Sequence, residues 1–416
     1  MSEVTNLASL IEKQLPCELV SFMERAGKLT ESYGERLHLV GGIVRDLLLG
    51  KSNLDLDLVV EGDAIALARK LTEGRVGKIT VHQRFGTAKL EFHKWSVDLT
   101  TARQESYARP GALPTVKPSS IIDDLFRRDF TINAMAIELN PDSYGQLIDL
   151  YGGRNDLKHK LIRILHDKSF TDDATRIWRG LRYEQRLSFQ LEADTQRLLK
   201  QDIPILDTIS DDRIRYELEC VLTEQYPERV FGRAEELGVL ARLNPSLKGN
   251  GWLEKKFSQA RKLSSPERPP IGLYLALLAY PLTDKETEQL ILHLRLSKSL
   301  AQTLLDTGSV KDNLMPLADP KLPPSGIYHL LHGYSPQAIT ANLLTSDSPT
   351  VQKHIHLFLD KLSSIRTALS GNDLIQMGIA QGPRIKEILN RLHEARLDGK
   401  VKSKRGEERS VKEWVD

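Results

Sequence analysis

The chain has 416 residues, too many for one ordinary domain, and with 40% hydrophobic against 27% charged residues it has the material for a sizeable core. Its 58 basic and 56 acidic residues leave a formal charge of +2, so nucleic-acid binding has to come from local patches and not from global charge. Cys17 and Cys220, with no C-x-x-C, offer neither a disulfide framework nor a zinc site; no run nears the roughly 18 apolar residues of a membrane span, and no signal pattern opens the chain, so a cytoplasmic protein with no membrane association is expected.

Residues 1–30 predict a helical segment whose apolar stripe is Leu10, Ile11, Leu15, Leu19, Val20 and Met23. From Leu37 to about Leu157 the pattern is mixed α/β. The pair Gly41-Gly42 precedes a short predicted helix over 43–49. Period-two alternation in Leu54-Asp55-Leu56-Asp57-Leu58 then predicts a half-buried strand, with both carboxylates on one face and the leucines toward the core. Residues 88–92 and 95–99 alternate likewise around His93-Lys94, a hairpin pattern. Residues 103–120 hold Pro110, Gly111, Pro114 and Pro118 and read as a long loop, a feature often functional in compact domains. Beyond about residue 158 strand signals fade and proline-punctuated helices take over. The expected fold class is an α/β head followed by an all-α remainder.

The glycine pair lets backbone N–H groups approach a phosphate at a helix start, and Arg45 adds charge one turn in. Asp55 and Asp57 suit magnesium, which takes a few carboxylate oxygens together with phosphate and water. Asp98, at the equivalent depth of a later strand, is a candidate third carboxylate. Two such ions ~4 Å apart activate an attacking hydroxyl and stabilise leaving pyrophosphate. The combination points to nucleotidyl transfer. Gly50-Lys51-Ser52 is not the end of a P-loop, because the earlier glycine that motif needs falls on Arg45. His166-Asp167 lacks the further spaced ligands of a phosphohydrolase and reads as structural.

Five motifs in order then make the chain resemble the class II tRNA nucleotidyltransferases (CCA-adding enzymes) and the related bacterial poly(A) polymerases. They are Gly41-Gly42-Ile43-Val44-Arg45-Asp46 with Asp55-x-Asp57, and Arg127-Arg128-Asp129-Phe130-Thr131-Ile132-Asn133-Ala134-Met135-Ala136. Asp149-x-x-x-Gly153-x-x-Asp156-Leu157 follows, and then Asp172-Asp173-Ala174-Thr175-Arg176, where the family more often has Glu-Asp. Asp212-Arg213-Ile214 with Glu217-Leu218 completes the set. The resemblance implies a seahorse-shaped protein: a nucleotidyltransferase head followed by helical neck, body and tail. On this chain those fall at 1–30 (N-terminal helical segment), 31–157 (head), 158–224 (neck), 225–310 (body) and 311–416 (tail).

By the same resemblance Asp55 and Asp57 bind Mg2+, Asp98 assists catalysis, and Gly41, Gly42, Arg45, Arg128, Asp129, Asp173, Arg176, Arg179 and Arg182 bind the nucleotide. Arg128 and Asp129 fall to the sugar, favouring ribose. Asp173 and Arg176, three apart, are expected on one helix face, where the carboxylate accepts from an exocyclic amine and the guanidinium donates to a ring nitrogen. Cytosine and adenine offer that polarity; guanine and uracil offer the reverse. The implied activity is template-independent addition of C and A from CTP and ATP to the tRNA 3′ end, with pyrophosphate released. Alternatives are an enzyme adding only the terminal A, a poly(A) polymerase and a non-catalytic RNA-binding relative. The 30 residues between Asp98 and Asp129 look unshortened, which counts against a CC-only enzyme. Residues 151–200 carry 11 Lys+Arg against 7 Asp+Glu, and 384–416 carry 10 against 7, patches that suit phosphates. Arg384 and Lys386, after Gly382-Pro383, are the expected RNA contacts, and a monomer or homodimer is expected.

Overall fold

The computed structural model describes residues 5–73 and 77–415; residues 1–4 and 416 of the expected terminal segments lie outside the described residues. The chain forms two compact units, Met1–Val221 with Glu236–Arg242, and Leu222–Glu235 with Leu243–Asp416.

The first unit opens with two helices, α1 (Ala8–Gln14) and α2 (Cys17–Ser32), where one was expected. Pro16 is the reason. It forces extended backbone on Leu15 (φ −101°, ψ 148°), ending one helix, and itself caps the next. The apolar stripe survives the break: Ile11, Leu15, Leu19, Val20 and Met23 are all buried.

A seven-stranded sheet follows. Its strands in chain order are β1 (Leu37–Val40), β2 (Leu56–Val60), β3 (Lys78–His82), β4 (Thr87–Phe92) and β5 (Trp95–Thr101). A separate two-stranded hairpin comes next, β6 (Arg103–Ser106) and β7 (Thr115–Pro118), before β8 (Ala136–Glu138) and β9 (Leu147–Ile148) return to the main sheet. The main sheet runs β3-β4-β5-β2-β1-β8-β9, antiparallel throughout except for the parallel pair β2–β5. The helices α3 (Gly42–Leu48) and α4 (Ala64–Thr72) flank β2 in the chain, and α5 (Ile121–Phe126) follows the small hairpin. On one face Leu56, Leu58, Val60, Val97 and Leu99 are fully buried, each worth about 1.5–3 kcal/mol. On the other face Val59 packs under Ile121 and Leu125 of α5, while Asp57, two residues earlier, lies beyond that cover. Partial cover of one sheet face is what leaves the carboxylate end open.

Two local expectations change. Leu54 is 40% exposed and does not join the core, because the strand starts only at Leu56. The Asn53 side chain accepts the Asp55 N–H (2.9 Å), a local turn that competes with strand pairing. The segment read as a long loop is the β6–β7 hairpin, registered from Arg103↔Pro118 to Ser106↔Thr115 with Gly111 (φ 76°) between the strands. The expected hairpin around His93-Lys94 is present, with Phe92 opposite Trp95 and His93 at φ 51°.

After α6 (Gly153–His159) come the short α7 (Ser169–Asp172) and the longer α8 (Thr175–Leu187). The second unit is helical, as periodicity predicted. Its prolines open helices and do not break them: Pro324, Pro336, Pro349 and Pro383 each sit in a first turn, where a missing N–H costs nothing. Val310, Leu317, Ile327, Leu331, Ile339 and Ile355 form its main core, and Leu374, Ile388, Leu392 and Val411 belong to a smaller one. Among the described residues no helix is long and apolar enough to cross a membrane.

Candidate active site

A cavity of about 490 Å³ opens within the first unit, its walls drawn from the sheet, α3, the β6–β7 hairpin, the turn that follows α5, and α8. One wall carries the carboxylates. Asp55 and Asp57 line it, and Asp98 on β5 sits directly across from Asp57 in the parallel pair, 3.8 Å from Lys89 and half-buried. Burial pushes Asp57 up to about 6; Arg128 opposes that rise, while Asp55 and Asp98 add to it. Like charge crowded into a desolvated corner is the environment a divalent cation relieves. Among the described residues no three His, Cys, Asp or Glu side chains are grouped to hold a metal unaided. Asp55 and Asp57 nonetheless fit magnesium, which is commonly held by one or two carboxylates plus substrate phosphates and water.

Gly41 is essential to this corner. Its φ of 77° suits glycine, and a Cβ there would stand 2.7 Å from Arg128 Nη1 and 3.7 Å from Asp57 Oδ2. Gly42 starts α3 and lines the cavity together with Arg45. Arg45 is almost fully buried and held on three sides, donating to both oxygens of Asp46 (2.8 Å each) and to Asn133 Oδ1 (2.7 Å). Arg128 donates to Asp124 (3.0 Å), a fully buried carboxylate that also takes two bonds from Arg127 (2.9 and 2.7 Å).

Asp129 lines the cavity but is deeply engaged. Its Oδ1 accepts the Phe130 N–H and the Asn133 amide, and its Oδ2 accepts two bonds from Arg179 (2.9 and 2.6 Å). Burial alone would raise its pKa, but Arg179 and the Asn133 amide outweigh burial and hold it at about 2.

The Asp173/Arg176 pair departs from expectation. The two do not share a helix: α7 ends at Asp172, and Asp173 is extended (φ −142°, ψ 97°) before α8 begins. Asp173 Oδ1 accepts the Thr175 N–H (3.0 Å) and hydroxyl (2.6 Å) at the first residue of α8. The same oxygen accepts from Arg213 (2.7 Å). Arg176 is buried and donates to the Ser169 carbonyl and hydroxyl and to the Arg127 carbonyl (2.6 Å). Both residues still line one end of the cavity, beside Arg213. The Nη1 of Arg213 is buried with no hydrogen-bond partner among the described residues.

Gly42, Arg45, Asp55, Asp57, Arg128, Asp129, Asp173, Arg176 and Arg179 thus meet in one cavity; Gly41 and Asp98 stand just behind its wall. Arg182 is turned away, buried 3.5 Å from Glu217. Arg384 and Lys386 belong to the second unit, exposed on the first turn of the helix Pro383–Leu397. His166 stacks on Phe126 at 4.9 Å, a packing role. Sequence reasoning missed Glu105 and Tyr107, which reach the cavity from the hairpin. Tyr107 donates to Glu105 (2.7 Å), and Glu105 also takes Arg103 and Arg127. The signal was the strand-like alternation Arg103-x-Glu105-x-Tyr107, hidden by the neighbouring prolines.

Residues 37–163 match the Poly A polymerase head domain, and residues 188–249 match the probable RNA and SrmB-binding site of polymerase A. The A-adding tRNA nucleotidyltransferase of Halalkalibacterium halodurans is 32% identical over 96% of this chain and 93% of its own length. The chain belongs to the tRNA nucleotidyltransferase family. A second family member, the A-adding tRNA nucleotidyltransferase of Geobacter sulfurreducens, is 34% identical over 98% of this chain, which spans only 48% of that relative's length. The Thermotoga maritima CCA-adding enzyme, solved in complex with tRNA, superposes with a TM-score of 0.78 at 31% identity, covering 100% of both chains.

Proposed function

We propose that this chain transfers AMP from ATP to the 3′ end of a tRNA ending in CC, without a nucleic-acid template. The observation that carries the reading is one cavity holding Asp55 and Asp57 at one wall and Asp173, Arg176 and Arg213 at another. A nucleotide spanning them puts its phosphates at the carboxylates and its base at the polar end. Asp173 accepts from the exocyclic amine, and Arg176 with the unpartnered Arg213 Nη1 donates to the ring nitrogen. Arg128 and Arg179, the latter held by Asp129, flank the sugar.

Magnesium held by Asp55 and Asp57 would polarise the reacting phosphate and stabilise the leaving group. In the step itself the RNA 3′-hydroxyl oxygen bonds to the α-phosphorus. The bond from that phosphorus to the bridging oxygen breaks, pyrophosphate leaves, and the hydroxyl proton passes to a carboxylate oxygen, for which Asp98 is the candidate. The basic start of the helix Pro383–Leu397, with Arg384 and Lys386, would hold the tRNA backbone.

A-addition is favoured by the two relatives that bear that name. Full CCA addition is the second reading, favoured by the likeness to the Thermotoga enzyme along the whole chain. The two share the final step and are separated with three tRNA transcripts, lacking CCA, ending in C and ending in CC, each given CTP, ATP or both. Extension of the CC-ending transcript alone, by one A, supports the proposal. Completion of the bare transcript replaces it with CCA addition, and no extension of any transcript removes both.

A further inference from the structure

Asp55 and Asp57 are held in place by different means. Asp57 lies on β2, where the β2–β5 pairing fixes it opposite Asp98. Asp55 precedes the strand, since that register begins at Leu56↔Val97. A carboxylate on the connection between α3 and β2 needs another anchor if it is to meet a metal in one fixed geometry. Asn53, which lines the same cavity, is placed to provide it. Its Oδ1 accepts the Asp55 N–H (2.9 Å), and its Nδ2 donates to Asp46 Oδ2 (2.8 Å). A carboxylate accepts and an N–H donates, so the Asn53 amide has one workable orientation. The same Asp46 carboxylate takes two bonds from Arg45 (2.8 Å each), and Arg45 donates onward to Asn133 Oδ1 (2.7 Å). Asn133 in turn donates to Asp129 (2.9 Å), the carboxylate that holds Arg179. Arg45 and Asp46 are buried, a setting in which hydrogen bonds are strong and linked ones reinforce one another. An unbroken line of side-chain bonds thus runs from Arg179 on α8 to the backbone of Asp55, and Asn53 is its last link.

We infer that Asn53 is the positioning residue for Asp55: it ties the Asp55 backbone, and with it the carboxylate, to the buried Arg45–Asp46 pair. The inference rests on the metal-binding role proposed above for Asp55. The link has two requirements. An acceptor must stand two residues before the N–H it satisfies, the geometry of an Asx turn, and a donor must meet the Asp46 carboxylate. Asparagine meets both. Serine supplies the acceptor without the amide donor, aspartate sets like charge against Asp46, and alanine supplies neither group. Side chains that orient a metal ligand without touching the metal typically carry roughly 10–100-fold of metal affinity.

The test follows Mn2+ binding by the full chain in the presence of α,β-methylene ATP, read from the electron paramagnetic resonance of the free ion. Alongside it, the Mg2+ concentration that half-saturates AMP transfer to CC-ending tRNA is measured. The variants are Asn53→Ala, Asn53→Ser and Asn53→Asp, with Asp55→Asn as the reference. Asn53→Ala is expected to weaken Mn2+ by about tenfold or more and to raise the Mg2+ requirement in parallel, with the tRNA KM unchanged. Asn53→Ser recovers part of the loss, and Asn53→Asp does not. Wild-type Mn2+ affinity in Asn53→Ala, where Asp55→Asn has lost it, overturns the inference and leaves the proposed function standing. A lower melting temperature and slower transfer at wild-type Mn2+ affinity also overturns it, since the residue then only stabilises the fold. Where Asn53→Ala fails to fold, the other two variants decide: tighter Mn2+ binding by Asn53→Ser than by Asn53→Asp supports the inference, and equality or the reverse overturns it. If Asp55→Asn binds Mn2+ as tightly as the wild type, the metal role of Asp55 in the proposed function fails, and the inference with it.

Discussion

Both units bury charge, but they use it differently. In the second unit Glu407 is fully buried and fully satisfied: its oxygens accept the N–H groups of Ala368 and Leu369 and a 2.6 Å bond from Arg396. In the first unit Asp57 is desolvated beside two further carboxylates and has a raised pKa, and Arg213 keeps a buried donor unpaired. One arrangement closes a structure. The other holds unspent electrostatic capacity that only a ligand can use, which is the general mark of a site as opposed to a core.

Replacing both Asp55 and Asp57 with Asn should break that contrast most strongly. Transfer is expected to fall on the order of 10³-fold or more, the scale on which lost preorganised electrostatics acts, in a primer-extension assay. The melting temperature should hold or rise. A carboxylate at about 6 in the native state against 3.8 in the unfolded chain opposes folding when ionised, fully so above pH 6, and that opposition fades as pH falls from 6 to 3.8. A large fall in melting temperature would show Asp57 to be structural.

Glu407→Ala should do the reverse. It leaves Arg396 and two backbone donors unmatched and is expected to cost about 3 kcal/mol in denaturant unfolding, with ATP affinity unchanged. Asp129 stands between the two classes, since it lines the cavity yet is fully bonded. Held at about 2 against 3.8 unfolded, it contributes about 2 kcal/mol above pH 3.8, lost as pH falls toward 2. Asp129→Asn should lower stability at pH 7 and flatten that part of the acid-unfolding curve. The smallest effect belongs to Arg384→Ala with Lys386→Ala: a few-fold rise in tRNA KM and a shallower salt dependence, with ATP KM unaltered.

What the sequence revealed follows the same division. The sheet carboxylates were legible because strand periodicity fixes the face of Asp57, and the parallel register then sets Asp98 beside it. Leu54 was misread because the Asn53 turn delays the strand, a one-side-chain effect that alternation cannot register. Asp173 and Arg176 were placed on one helix by spacing alone. The chain instead breaks at Asp173, whose carboxylate accepts from Thr175 at the start of a new helix, and the pair converges through tertiary contacts from Arg213 and Arg127. The hairpin was hidden because its prolines outweigh two strands of only four residues each, and its ion pair from Glu105 to Arg127 is distant in the chain. Glu407 could not be seen at all, since nothing local tells a buried glutamate from an exposed one.

The central claim is that side chains, not a template strand, choose the nucleotide. It is tested most directly by giving CC-ending tRNA each of the four nucleoside triphosphates separately, with wild type and Arg176→Ala. The account predicts that wild type takes ATP and rejects GTP and UTP by roughly 10⁴-fold, and that Arg176→Ala erodes that rejection, because buried polar groups no longer penalise the wrong base. Comparable incorporation of all four by the wild type, or an unchanged preference in Arg176→Ala, would contradict it.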